Sequence, residues 1–319
     1  MVVQFASEGA EAKDYEWKYE TSGQVTNVAI SDDGKYLVSA SYDDKINFFE
    51  TDSSTPDWSY SLDTDENFVD ISANGYYIAN IGNGENLKLF SRDSNSPNWT
   101  ASSTEGWAVA ISDDGNYIVS GNGDTIALYS TSSSTAIWTY DANEGAIVSI
   151  DTTPTASKIV VGTDDGLLLE FNRNSSTPVV EVFPIGTWAA HIKSVSISDN
   201  GEYFVASVTR EGVNPGDEIE RLYLYGSGDE DYLDYVDTDE IMHSVSINSD
   251  GQYFASCGSS ANTRLYSRSA DGGITQEWSN NTSCGGAGNG KNKHIAISSD
   301  GEYIAATGSA SEGEVRFFS

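Results

Sequence analysis

The stretch Val25–Tyr60 reads VTNVAISDDGKYLVSASYDDKINFFETDSSTPDWSY, and its pattern decides the fold. Apolar residues alternate with polar or small ones over Val25–Ser31 and again over Lys35–Ser41. Asp32-Asp33-Gly34 separates these runs, Tyr42-Asp43-Asp44 follows, and Lys45–Glu50 makes a third run. Thr51–Asp57 then leads to a fourth at Trp58-Ser59-Tyr60. A period of two marks a strand with one face on a core, and Asp and Gly tolerate the positive φ of a tight hairpin turn. Four short antiparallel strands are therefore predicted. The segment also recurs: ISDDGKYLVS from Ile30, ISANGYYIAN from Ile71, ISDDGNYIVS from Ile111, ISDNGEYFVA from Ile197, INSDGQYFAS from Ile247 and ISSDGEYIAA from Ile297.

Aligned on the isoleucine that ends each first strand, the units stand at Ile30, Ile71, Ile111, Ile150, Ile197, Ile247 and Ile297, in steps of 41, 40, 39, 47, 50 and 50 residues. Four strands per unit at a period near forty predict an all-β fold, a single seven-bladed β-propeller in which radial repetition hides the sheet edges. The blades are expected at 25–63, 67–104, 107–143, 146–183, 192–238, 242–281 and 293–319, after an N-terminal extension over 1–14. The seventh unit holds text for three strands, and Tyr15–Tyr19 resembles the fourth-strand text at Trp58 and Trp138. The segment 15–21 is accordingly expected to complete the last blade, which would cover an open sheet edge.

These units resemble WD40-like β-propeller repeats of the acidic, Trp-bearing kind found in prokaryotic and especially archaeal proteins. The resemblance covers about residues 15–319. The chain lacks the Gly-His start and Trp-Asp end of standard repeats and carries a tryptophan on the fourth strand instead. The resemblance thus implies the propeller fold without carrying over the partners of eukaryotic relatives.

The chain has 319 residues, with 16 Lys+Arg against 49 Asp+Glu, a formal charge of −33. Nucleic acid is excluded as a partner, because phosphate binding needs a cationic footprint, and acidic lipid surfaces are disfavoured for the same reason. No apolar run reaches the ~18 residues of a membrane span. The start MVVQFASEGAEAKD has no cationic region and no long apolar core, so it does not read as a signal peptide.

Trp17, Trp58, Trp99, Trp138 and Trp278 occupy the repeat position and are expected to pack between blades; Val180 and Tyr232 or Leu233 replace them in units four and five. Trp107 and Trp188 fall outside the repeat. The Asp-Gly turns lack the alternate oxygen ligands and closing Glu of an EF-hand loop, so they read as turns, with no metal. Departures from the repeat cluster in Phe183–His191, Thr209–Arg221 and Asn280–Lys293, expected on one face of blades four to six. The residue four before each aligned isoleucine is expected at the channel mouth: Thr26, Asn67, Trp107, Ala146, Lys193, His243 and Lys293. Three consecutive blades thus offer Lys193, His243 and Lys293, with Trp107 in the same ring and Trp188 and His191 above it. Cations beside an aromatic platform suit a carboxylate, an acidic sugar or a peptide terminus; the competing reading is that they neutralise nearby Asp and Glu.

The best-supported function is a non-catalytic interaction scaffold without a cofactor, recognising a protein, peptide or glycan through the top face of blades four to six, with self-assembly possible. Two alternatives differ in class: a structural subunit of a surface layer or filament, and an enzyme with its site at the channel mouth. The last has little support, since no Gly-x-Ser-x-Gly, Walker or dinucleotide motif occurs, and Asp70, an acid unusual on a first strand, lacks a partner. Cys257 and Cys284 are candidates for a disulfide, and Asn98, Asn174, Asn280 and Asn281 begin glycosylation sequons. Both features favour an extracellular or cell-surface location over a cytoplasmic one.

Overall fold

The computed structural model describes residues 2–5, 17–64, 66–103, 106–143, 145–184, 190–210, 219–258, 262–281, 295–308 and 314–318. Every regular element in them is a strand. After β1 (Val2–Phe5), the first sheet is β2 (Val25–Ile30), β3 (Tyr36–Ser41), β4 (Lys45–Glu50) and β5 (Trp58–Ser61). The second is β6 (Asn67–Ile71), β7 (Tyr77–Gly82), β8 (Glu85–Ser91) and β9 (Ser94–Ala101), and the third is β10 (Gly106–Ile111), β11 (Tyr117–Asn122), β12 (Thr125–Ser130) and β13 (Trp138–Asp141). The fourth is β14 (Ile147–Thr152), β15 (Lys158–Thr163), β16 (Leu168–Asn172) and β17 (Val180–Val182). The fifth is β18 (Ala190–Ile197), β19 (Tyr203–Arg210), β20 (Ile219–Gly226) and β21 (Tyr232–Asp237), and the sixth is β22 (Met242–Ile247), β23 (Tyr253–Gly258), β24 (Asn262–Arg268) and β25 (Ile274–Asn281). β26 (Ile295–Ile297), β27 (Ile304–Gly308) and β28 (Glu314–Phe318) close the list. Six sheets are four-stranded meanders with strands hydrogen-bonded in chain order, and repeated sheets of this kind are consistent with a β-propeller.

The chain divides into two units: Met1–Lys18, Val160–Glu170 and Val179–Ser319 form one, and Tyr19–Ile159 with Phe171–Pro178 forms the other. In the first unit, the C-terminal sheet has the order β1-β28-β27-β26. Its fourth strand comes from the N-terminus, but it is Val2–Phe5, running parallel to β28, rather than the segment 15–21. Of that segment, Trp17–Thr21 is described, and it lies outside any strand. Val2–Phe5 (Val-Val-Gln-Phe) has the β-branched and aromatic composition of a strand, whereas the exposed, charged Lys18 and Glu20 alternate with the half-buried Trp17 and Tyr19.

Each turn after a first strand is built by its own polar side chains. Ser31 donates its hydroxyl to Asp33 Oδ1 at 2.8 Å and accepts the Tyr36 amide at 3.1 Å, while Asp33 accepts the Lys35 amide. Ser72 with Asn74, Ser112 with Asp114, Ser198 with Asn200 and Ser298 with Asp300 repeat the arrangement. These side-chain oxygens hold the turns, and the Lys35 ammonium lowers Asp33 to a pKa of about 2. Gly75 shows why glycine ends the motif: its φ is +68°, and a Cβ there would come within 2.2 Å of the Tyr36 ring.

Tryptophan packs sheet to sheet. Trp58 of β5 stacks on Phe48 and on Phe90 of β8, and its indole N–H donates to the Arg92 carbonyl at 2.8 Å. Trp99 and Trp138 repeat the bond to the carbonyls of Thr131 and Arg173, and Trp278 packs on Phe318. An arginine at the end of the third strand or just after it lies over a tyrosine of the preceding sheet: Arg92 over Tyr36, Arg173 over Tyr117 and Arg268 over Tyr203. An indole is flat enough to fill the gap between two sheets and polar enough to satisfy a carbonyl stranded there.

Candidate functional site

The first strand of a sheet has one edge without a ladder partner, so its outward amides need acceptors from elsewhere. The chain supplies them from the neighbouring first strand. Ser194 and Ser196 of β18 accept the amides of Val245 and Ile247 in β22, and Ser244 and Ser246 accept those of Ile295 and Ile297 in β26. In the other unit Asn27 accepts the Val69 amide and Asp70 accepts the Ile111 amide at 2.8 Å. Within one unit β18, β22 and β26 therefore run side by side, and within the other β2, β6 and β10 do, each one step in register with the next. Asp70 is one of these acceptors, which explains the unusual acid on a first strand.

Just before these rungs the strands bulge. Register shifts fall between Val25 and Asn27, between Gly106 and Ala108, between Ile192 and Ser194, and between Met242 and Ser244. The residues left out of the ladder are Thr26, Trp107, Lys193 and His243, four of the seven expected ring positions. A bulge frees its residue from the strict in–out alternation and re-aims its side chain. Thr26 spends this on structure: it is buried and donates to the carbonyls of Ala40 and Asn67. Asn67 is fully buried and donates to the Thr64 carbonyl at 2.5 Å.

Trp107, Lys193 and His243 are each half-buried. Trp107 belongs to one unit, where it meets Phe68 edge-on with ring centroids 6.5 Å apart. Lys193 and His243 belong to the other. There the bond from Val245 to Ser194 sets β22 against β18 so that His243 and Lys193 occupy matching bulges on neighbouring strands. Among the described residues no carboxylate lies within ion-pair distance of Lys193. That is unusual in a protein of charge −33.

His191 lies in β18 rather than in a loop, and its Nδ1–H donates to the Asp164 carbonyl in the turn between β15 and β16. Lys293, Trp188 and Cys284 lie outside the described residues. So do 211–218, yet the ends of the Thr209–Arg221 segment continue the hairpin, with Thr209 paired to Glu220 and Arg210 to Ile219. Cys257 is fully buried in β23 and disulfide-bonded. Asn98, Asn174 and Asn280 are exposed, Asn98 and Asn280 within strands β9 and β25; Asn281 ends β25. Among the described residues no cluster of His, Cys, Asp and Glu could hold a metal ion, and no helix is long and apolar enough to cross a membrane.

The bulges and the side-chain rungs are what sequence reasoning missed. Their signal was present: a serine, asparagine or aspartate recurs one and three residues before the aligned isoleucine.

Residues 15–50 match the family model described as WD domain, G-beta repeat. That stretch is similar to a WD40 repeat. The matched segment ends with β4, so it spans the Asp33-Gly34 turn that recurs through the chain. No curated protein matches the sequence. WD40 repeats are generally non-catalytic and suggest a protein-interaction scaffold.

Proposed function

We propose that this WD40-like protein is a non-catalytic, seven-bladed propeller scaffold that holds an anionic group of a protein or peptide partner at the paired bulges of β18 and β22. The observation that carries the reading is Lys193: half-buried, on a bulge, with no counter-ion among the described residues. A lysine that merely balanced the acidic surface would sit beside a carboxylate. An ammonium held partly out of water, on a bulge that matches the one carrying an imidazole on the neighbouring strand, instead favours an incoming carboxylate.

The test is a screen of peptides with free and amidated C-termini and with internal Asp or Glu, read by fluorescence anisotropy. Binders should lose about tenfold or more in affinity with Lys193→Glu or His243→Ala. An unchanged affinity in both variants would remove this site. Trp107 occupies the same bulge position in the other unit.

The disulfide at Cys257 favours an oxidising compartment and hence a cell-surface or secreted scaffold. With two cysteines in the chain, its partner in this proposal is Cys284, which would fasten the glycine-rich segment 285–290 to β23. Alkylation of unfolded protein should label neither cysteine before reduction and both after it. Labelling without reduction would overturn the pairing.

A further inference from the structure

In sheets one to four the third and fourth strands are joined through one template. Thr51-Asp52-Ser53-Ser54-Thr55-Pro56, Arg92-Asp93-Ser94-Asn95-Ser96-Pro97, Thr131-Ser132-Ser133-Ser134-Thr135-Ala136 and Arg173-Asn174-Ser175-Ser176-Thr177-Pro178 align residue for residue. The first residue of each donates its amide to the carbonyl of Lys35, Tyr76, Asn116 or Ser157. The third, always a serine, accepts the amide two residues on, as Ser53 does from Thr55 and Ser175 does from Thr177. The second is exposed in all four and is Asp, Asp, Ser and Asn in turn, so the turn itself needs no carboxamide there. Of these four turns, the fourth alone reads Asn-x-Ser from that position.

We propose that Asn174 is an N-linked glycosylation site, reached by a glycosyltransferase on the folded chain, and that Asn98 is not. The inference rests on the cell-surface reading above, because such acceptors belong to surface loops of secreted proteins. A transferase must hold the asparagine and the hydroxyl two residues on together, so both must be reachable without unpacking the residue between them. Asn174 and Ser176 are both exposed, and among the described residues neither side chain has a hydrogen-bond partner. The Ser175 side chain between them bonds only within the turn. The fold is anchored one residue earlier: the Arg173 guanidinium lies over the Tyr117 ring and donates to the Thr155 carbonyl at 2.8 Å, and the Arg173 carbonyl accepts the Trp138 indole N–H. A glycan on Asn174 therefore displaces no contact.

The sequon at Asn98 is the opposite case. Its middle residue, Trp99, is half-buried against Tyr129 and donates its indole N–H to the Thr131 carbonyl at 2.8 Å. Thr100 is held in the ladder opposite Lys88, and Asn98 Oδ1 accepts the Ser91 hydroxyl. Presenting this triplet would pull an indole from between two sheets. Asn280 is paired with Thr263 in the sixth sheet, and the hydroxyl residues Thr282 and Ser283 lie outside the described residues. The co-substrate is a glycosyl diphosphate. The Asn174 amide nitrogen bonds to the anomeric carbon, the carbon–oxygen bond to the diphosphate breaks, the diphosphate leaves with the bonding pair, and one amide proton passes to a base of the transferase.

The experiment is mass spectrometry of the full protein purified from the cells that make it, with electron-transfer fragmentation, which leaves sugar–peptide bonds intact. Trypsin cuts after Arg173 and Lys193, and the peptide between them contains one asparagine, Asn174. That peptide should carry an added mass equal to a whole number of sugar residues, located on Asn174, and the peptide bearing Asn98 should carry none. Asn174→Asp, which installs the residue of sheets one and two, and Ser176→Ala should each abolish the added mass without moving the urea midpoint, whereas Ser176→Thr should keep it. A 174–193 peptide found only at its unmodified mass overturns the proposal. So does a mass located on one of its serines or threonines, or one on Asn174 that survives Ser176→Ala. If that unmodified peptide comes with an intact disulfide at Cys257, this inference fails alone; if it comes with two free thiols, the cell-surface reading fails with it.

Discussion

Replacing Lys88 by methionine is expected to cost the fold about 3–5 kcal/mol, the usual penalty for leaving one member of a buried ion pair alone. Lys88 and Glu85 lie side by side on β8, with side chains 8% and 3% exposed. Glu85 also accepts the Asp63 amide at 2.9 Å and the Asn86 amide at 3.1 Å, and Lys88 lies over the Tyr60 ring. The carboxylate thus ties β8 to the chain between β5 and β6, and the ammonium is its ion-pair partner there. Without Lys88, the buried Glu85 side chain loses its counter-charge. Urea unfolding at pH 7 should show the loss. The double variant Lys88→Met/Glu85→Gln, which removes both charges and keeps an amide oxygen for Asp63, should recover most of it. A single variant as stable as wild type would mean that water reaches the pair.

Trp58→Ala is expected to destabilise the protein by a similar amount, about 3–5 kcal/mol, because it opens a cavity between two sheets. The indole stacks on Phe48 at 5.2 Å and 9° and on Phe90 at 5.6 Å, so its removal strips contacts from both rings. It also leaves the Arg92 carbonyl without its donor. Trp58→Phe separates the two effects: the stacking largely survives, and the missing N–H should account for about 1–2 kcal/mol. Thermal or urea unfolding of both variants measures the split. If Trp58→Ala cost no more than Trp58→Phe, the packing account of the outer-strand tryptophans would be wrong.

Much of the fold was legible in the residues because it is written in short-range chemistry. The Ser-x-Asp-Gly and Ser-x-Asn-Gly turns are closed by side chains two to five residues apart, and outer strands such as β5 and β13 alternate half-buried and exposed residues. The outer-strand tryptophans could be assigned to packing because repetition at one position signals scaffold. The N-terminal partner of β28 was misplaced because Tyr15–Tyr19 resembles fourth-strand text, whereas Val2–Phe5 takes that edge. A strand's choice of partner depends on long-range pairing that its own composition does not encode. His191 was placed in a loop because the segment before β18 breaks the repeat, whereas it lies in the strand and bonds to Asp164.

The candidate site divides along the same line. The one-dimensional text determined the all-β repeat, the isoleucine alignment and the seven positions four residues before it, since each follows from periodicity. Only the tertiary structure decided what those positions do. It put Thr26 and Asn67 in the interior, set Lys193 and His243 on matching bulges, and turned Asp70 from an acid without a partner into a rung between β6 and β10. The reason is physical: a bulge or an edge amide acquires meaning from the neighbouring sheet, which lies about forty to fifty residues away in the chain.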